Sequence, residues 1–148
     1  MAEASQSPEE ISHWFKLGND LLNSGQYEKA ALAFDRVIEI ESRNAEAWNN
    51  RGLAQASLNI LEDAARSFDR AGSIDVAHPS AWYNKGMMLC ALERYEEAVN
   101  SFEKALQIDP KNAHAWHNKG VALTRLGWDA EARFAFSCAG WIALHGEG

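Results

Sequence analysis

Cysteine, proline and basic charge are all scarce in this chain, and each scarcity closes off a class of structure or function. Two cysteines, Cys90 and Cys138, give no disulfide framework of the kind small secreted domains need. Three prolines leave long stretches free to run as helix. Lysine and arginine total 14 against 21 aspartates and glutamates, a net charge of −7. That balance offers no basic face, so no nucleic-acid partner is expected, and anionic membranes are disfavoured. No run of eighteen apolar residues is present, which excludes a simple transmembrane helix. The segment from Met1 to Ser7 has neither a basic flank nor an apolar centre, so it does not read as a secretory signal, and the expected location is cytoplasmic. The length is that of one domain, taken here as residues 1–148.

What the chain does have is a beat of 34 residues. Trp14, Trp48, Trp82 and Trp116 recur at that interval. Gly18, Gly52, Gly86 and Gly120 follow each of them by four residues, Ala30, Ala64, Ala98 and Ala132 by sixteen, and Phe34, Phe68, Phe102 and Phe136 by twenty. Four unbroken columns predict a stacked repeat protein, with repeats at 11–44, 45–78, 79–112 and 113–146. Within each repeat, apolar residues fall at spacings of three and four, the helical period, in two runs separated by a short turn such as Ser24-Gly25-Gln26. Ser7, Pro8 and Glu10 read as a capping box with proline at the first helical position. Asn44 and Asn112 are placed to cap the first helices of the second and fourth repeats. Glycine at position 8 of the repeat and alanine at position 20 allow the two helices to approach closely, while tryptophan and phenylalanine fill the space beside them as core.

These columns closely resemble the tetratricopeptide repeat family. Tyr27 and Tyr95 at position 17, Ala71, Ala105 and Ala139 at position 27, and Pro110 at position 32 extend the match. The chain departs from the pattern at Ser42, Val76 and Leu144, at Leu61 and Asp129, and at Val37. The recurring Trp-x-Asn-[Arg/Lys]-Gly of the last three repeats is similar to repeats common in archaeal and bacterial tandem arrays. The resemblance implies an all-α fold, a right-handed α-solenoid of four helix-turn-helix repeats. It also implies a protein-interaction adaptor, with a peptide held in a concave groove lined by the first helices.

Carried over residue by residue, the groove takes Phe15, Asn49, Tyr83 and His117 from position 5. Position 9 supplies Asn19, Leu53, Met87 and Val121, position 6 supplies Asn50, Asn84 and Asn118 at the rim, and position 13 supplies Arg125. Amide side chains both donate and accept, which suits the backbone of an extended segment. Beside them runs an apolar strip. The expected ligand is therefore a neutral, partly hydrophobic peptide. One subclass of the family grips a chaperone's C-terminal carboxylate with a clamp of lysines, asparagines and an arginine. Here Asn19 and Asn50 match that clamp, but Phe15, Ser80 and Asn84 stand where it needs cations, so that ligand is not expected.

The two ends of the array differ. The stripe that a first helix turns to its predecessor is Ala81, Lys85, Met88 and Leu92 in the third repeat. In the first repeat it is His13, Leu17, Asp20 and Ser24, mostly polar, as suits a terminal repeat. Along the second helix, the stripe at positions 22, 26, 29 and 33 is largely polar in three repeats and becomes Phe134, Cys138, Trp141 and His145 in the fourth. Three accounts remain open for this apolar stripe. It folds down onto the end of the stack, a second copy covers it in a homodimer, or further repeats bury it. A self-associating scaffold is the alternative function.

Catalytic and metal-binding constellations are not expected. His114 and His117 are three residues apart, with His78 closing the repeat before them, but no further ligand is evidently placed to complete a metal site. Cys90 and His117 both fall on the groove stripe, yet more than a helical turn apart along the axis. Glu62, Asp63, Glu96 and Glu97 sit at helix starts, where they favour the helix dipole. No glycine-rich phosphate loop occurs, and no cofactor is expected. The packing argument predicts that Phe68→Ala or Phe102→Ala costs about 3–5 kcal/mol through the cavity it leaves, read from urea unfolding.

Overall fold

In the computed structural model, residues 8–146 are described. Among them are eight helices and no strand: α1 (Pro8–Asn23), α2 (Tyr27–Ile40), α3 (Ala45–Ser57), α4 (Leu61–Ile74), α5 (Ala81–Ala91), α6 (Tyr95–Ile108), α7 (Ala113–Arg125) and α8 (Asp129–His145). They pair as four hairpins, two in each repeat-sized span predicted above. The chain divides into two compact units, Met1–Val76 and Ala77–Gly148, each holding two hairpins. Pro8 is the first helical residue of α1; the Ser7 cap lies outside the described residues.

The turn inside every hairpin passes through one residue with a left-handed backbone. Gly25 and Gly127 adopt φ 79°, and Asn59 and Glu93 adopt φ 60° at the same repeat position. Glycine takes this conformation freely and asparagine with little strain, whereas Glu93 bears a penalty of about 1–2 kcal/mol. The caps of α3 and α7 form as expected: Asn44 Oδ1 accepts from the Ala47 N–H, and Asn112 Oδ1 from the Ala115 N–H, both at 3.0 Å. The third repeat solves the same problem differently. His78 is buried, and its Nδ1 accepts from the backbone N–H groups of Ser80 and Ala81, at 3.2 and 3.1 Å. That ring nitrogen is thereby engaged in capping α5.

Each hairpin closes on one contact. A Cβ built on Gly18, Gly52, Gly86 or Gly120 would lie 2.7, 2.6, 2.7 or 2.8 Å from Cε1 of Phe34, Phe68, Phe102 or Phe136. The phenylalanine ring occupies the space a side chain would need. Phe34, Phe68 and Phe102 are at most 1% exposed, and Ala30, Ala64 and Ala98 are fully buried beside them.

The tryptophans are placed differently from the expectation. Trp82 is buried, but Trp14, Trp48 and Trp116 are only half-buried. Their rings lie under cations. Arg36 is 5.8 Å from the Trp14 centroid, Arg51 and Arg70 are 5.4 and 6.0 Å from that of Trp48, and Lys85 and Lys104 are 5.4 and 4.1 Å from that of Trp82. The indole N–H groups of Trp48 and Trp116 donate to the Ser42 and Pro110 carbonyls. An indole has an apolar body and a polar handle, so it serves at the edge of a core, where a cation can cover its face.

Within each unit the second hairpin packs on the first through a seam of alanines: α3 on α2 with Ala47 and Ala54, and α7 on α6 with Ala115 and Ala122, all fully buried. One ion pair spans each seam, Arg51 Nε to Asp35 Oδ1 at 2.7 Å and Lys119 Nζ to Glu103 Oε1 at 3.4 Å. Burial pushes the Asp35 carboxyl above its ordinary range, against the pull of Arg51. A raised carboxyl pKa is a stability cost at neutral pH that is relieved as pH falls, so this pair sets the register of the seam more than it strengthens it. On α1 the corresponding His13 and Asp20 are exposed, as is Ser24 in the turn that follows.

The glycine contact separates two otherwise similar substitutions. Gly86→Ala is expected to destabilise by about 1–3 kcal/mol, because the added methyl meets a ring that cannot retreat. Gly140→Ala, on α8 with nothing within 4 Å, is expected to stabilise by up to about 1 kcal/mol through helix propensity. Urea unfolding of both variants checks the contrast.

Candidate functional site

In the N-terminal unit the groove residues lie on α1 and α3. Phe15 lays its ring edge-on against Phe34, with centroids 5.9 Å apart, and is half-buried against the core. One turn further along α1, Asn19 Oδ1 accepts from Asn50 Nδ2 of α3 at 3.0 Å. Leu53, a turn beyond Asn50, is half-buried. Asn49 is only 5% exposed and belongs to the floor of the unit rather than to its open surface.

The C-terminal unit repeats the scheme on α5 and α7 with different chemistry. Tyr83 rests on Phe102 with centroids 5.9 Å apart, and its hydroxyl oxygen accepts from Asn118 Nδ2 at 3.0 Å. Met87 and Cys90 pack partly buried against the core cluster of this unit. His117 tilts onto Phe136 at 5.3 Å, with its outer side exposed. Val121 and Arg125 are exposed further along α7, and Asn84 is half-buried on α5.

The position-6 amides thus reach back to the first helix of the hairpin before them, across 31 residues in one unit and 35 in the other. A primary amide carries two N–H groups and a carbonyl with two lone pairs. One N–H of Asn50 and one of Asn118 are used in these bonds, which fix the side chains while their carbonyls keep accepting capacity. Burial pushes the Tyr83 hydroxyl above its ordinary range, opposed by the N–H of Asn118. The phenol therefore keeps its proton and can donate it while accepting from Asn118. The sequence revealed the row of amides but not these bonds, since their partners occupy different repeat positions, 9 in one unit and 5 in the other.

Burial pushes the Cys90 thiol up, away from thiolate and from nucleophilic reactivity. Among the described residues no group of three or more His, Cys, Asp or Glu side chains could hold a metal ion, and no helix is long and apolar enough to cross a membrane.

On α8, Phe134 is 65% and Trp141 62% exposed, so neither folds down to cover the surface around it. Phe134 sets its edge against Trp116 at 6.1 Å, and Trp141 stacks on His145 at 5.0 Å. Half-buried Cys138 replaces the arginine or lysine that covers the tryptophan in the first three repeats. In that space lies an apolar cavity of 440 Å³ bordered by Pro110, Trp116, Cys138, Trp141 and Ile142.

The buried thiol yields a direct check. Alkylation of Cys90 by iodoacetamide near neutral pH is expected to be slower than that of free cysteine. Its rate should climb only as pH passes above the usual thiol range, followed by mass spectrometry of the Cys90 peptide.

Comparison with known proteins agrees with the geometry. Family models described as tetratricopeptide repeat match residues 15–75, 79–112 and 101–134. No curated protein matches the chain. Among solved structures, a crystal structure of MamA superposes with a TM-score of 0.90 at 21% identity, over 95% of this chain and 82% of that one. The first tetratricopeptide domain of Spaghetti (RPAP3), bound to the HSP90 peptide SRMEEVD, gives 0.79 at 20% identity, over 84% of this chain and 99% of that one. The tetratricopeptide domain of Arabidopsis OM64 gives 0.74 at 26% identity, over 77% and 94%. With family models matching in three places and the four-column period borne out as four hairpins, the chain belongs to the tetratricopeptide repeat family.

Proposed function

We propose that this protein is an interaction adaptor that holds a neutral, partly hydrophobic segment of a partner protein against its first helices. The observation that carries this reading is the pair of interhelical side-chain bonds, Asn50 to Asn19 and Asn118 to Tyr83. Each fixes hydrogen-bonding groups beside an apolar side chain, Leu53 in one unit and Met87 and Val121 in the other. A preset row of donors and acceptors lowers the ordering cost of binding, and amides demand backbone rather than a particular side chain. The HSP90 peptide in the RPAP3 structure is acidic. In this chain Phe15, Ser80 and Asn84 place no cation at the matching clamp positions, and Asn19 is already bonded to Asn50. A neutral segment fits these groups better, and its affinity should vary little with salt.

The test is affinity capture with wild type and Met87→Glu, at low and high salt. Capture that survives high salt and is lost in Met87→Glu supports the groove; a partner held equally by both proteins sinks it. A second reading is favoured by one further observation, the exposed Phe134 and Trp141 beside an open apolar cavity. Apolar patches of this kind usually mark association sites, and a second copy of the chain would cover this one. Light scattering is expected to show a mass that rises with concentration in wild type and stays monomeric in Trp141→Asp. A monodisperse wild-type monomer at high concentration removes that reading.

A further inference from the structure

The second repeat breaks step with the other three at one place, away from the groove. Position 11 is Leu21, Leu89 and Leu123 in its siblings, and the last two are fully buried. In the second repeat it is Gln55, on α3, only 8% exposed. Its Oε1 accepts from Ser67 Oγ of α4 at 2.6 Å, and its Nε2 amide has no partner among the described residues. That amide nitrogen is not shut away from solvent, so its N–H groups stay available between α3 and α4, where a leucine would offer none.

That amide borders a cavity of 390 Å³ between α3 and α4, lined also by Trp48, Arg51, Arg66, Arg70 and Asp63. Three guanidiniums and the Asp63 carboxylate line it, and a second carboxylate, Asp35, lies 2.7 Å from Arg51, in a chain whose net charge is −7. No other repeat gathers three cations at these positions. The first has Leu17, Leu32 and Arg36, the third Lys85, Asn100 and Lys104, and the fourth Lys119, Phe134 and Cys138. Two of the three, Arg66 and Arg70, are poorly neutralised. Arg66 meets Asp63 at 3.2 Å in an exposed pair of little strength. Arg51 is paired with Asp35, Nε to Oδ1 at 2.7 Å, although that buried Nε–H is poorly aligned on the oxygen. Arg70 makes no ion pair among the described residues and lies over the Trp48 ring. The indole, with Arg51 and Arg70 both over it, holds two like charges together at a cost a bound anion would remove. Along α3, residues 48, 51 and 55 project roughly half a turn round the helix from Asn50 and Leu53, so this cavity is separate from the groove.

We propose that this cavity is a binding site for a phosphomonoester. The oxygens of a phosphate accept both from planar guanidinium forks and from the Gln55 amide, which approach from different sides. A carboxylate, with two coplanar oxygens, would leave part of this donor set idle. A phosphorylated serine in a partner and a free small phosphomonoester share the chemistry. The site does not depend on the groove being used.

The test is a titration of ¹⁵N-labelled full-length protein, following the Trp48 indole and the arginine Nε–H resonances. Inorganic phosphate, O-phosphoserine and a phosphoserine peptide are the ligands, with sodium chloride at matched ionic strength as control. Saturable shifts are expected with at least one phosphate ligand and none with chloride. Binding equally well by O-phosphoserine and by the peptide assigns the source as a small phosphomonoester; tighter binding by the peptide assigns it as a phosphorylated protein segment. Arg70→Gln and Gln55→Leu are each expected to weaken binding about tenfold or more. Gln55→Leu restores the residue of the other repeats, so an unchanged circular-dichroism melt separates lost binding from lost fold. Shifts that follow ionic strength alone, or unchanged affinity in either variant, overturn the proposal.

Discussion

A phenylalanine ring edge laid against the bare backbone of a glycine, one helix away, is the contact on which the rest of this protein depends. It occurs four times, and the space a methyl would need is filled to within 2.6–2.8 Å each time. Such a contact leaves no tolerance for a wider or narrower helix pair, because buried rings are close-packed on every side. It also presents each ring to its own first helix, where Phe15, Tyr83 and His117 rest on it at 5.9, 5.9 and 5.3 Å. The groove side chains are therefore supported by the same rings that close the hairpins, and core and candidate site cannot be altered independently.

Much of this was legible in the sequence for physical reasons. The Gly, Ala and Phe columns persist because each repeat must solve the same packing problem. Asn44 and Asn112 were readable as caps because the bond they make is local, three residues on. Trp14, Trp48 and Trp116 were misplaced by treating a large aromatic as simple filling. The cations that cover the tryptophans stood in columns of their own, Arg36, Arg70 and Lys104 at one position and Arg51, Lys85 and Lys119 at another, and could have corrected that placement. The capping role of His78 was hidden, since ring nitrogens fall outside the usual preference for Ser, Thr, Asn and Asp. Of the groove, the residue types were legible and the bonds among them were not. Asn49 looked equivalent to Tyr83 and His117, yet its short polar side chain ends up almost wholly buried.

A repeat array copies its core and varies its surfaces. The places where one copy departs from the other three are consequently where local rules have been relaxed for something other than folding. Gln55 in place of leucine is one such departure. Cys138 and Trp141, in place of a cation and a polar residue, are another. The first makes an outer surface more polar than its siblings, and the second makes one more apolar. Gln55 lies at position 11 of the first helix α3, and Cys138 and Trp141 at positions 26 and 29 of the last helix α8, all at repeat positions other than those of the bonded amides.

The alanine seams between neighbouring hairpins have a mechanical meaning. Ala47 and Ala54, like Ala115 and Ala122, are fully buried but almost featureless, giving little interlocking against sliding. Register across such smooth faces is therefore left to the polar groups that cross them, an ion pair and one side-chain hydrogen bond in each unit, so losing either would let the two hairpins settle at a different offset.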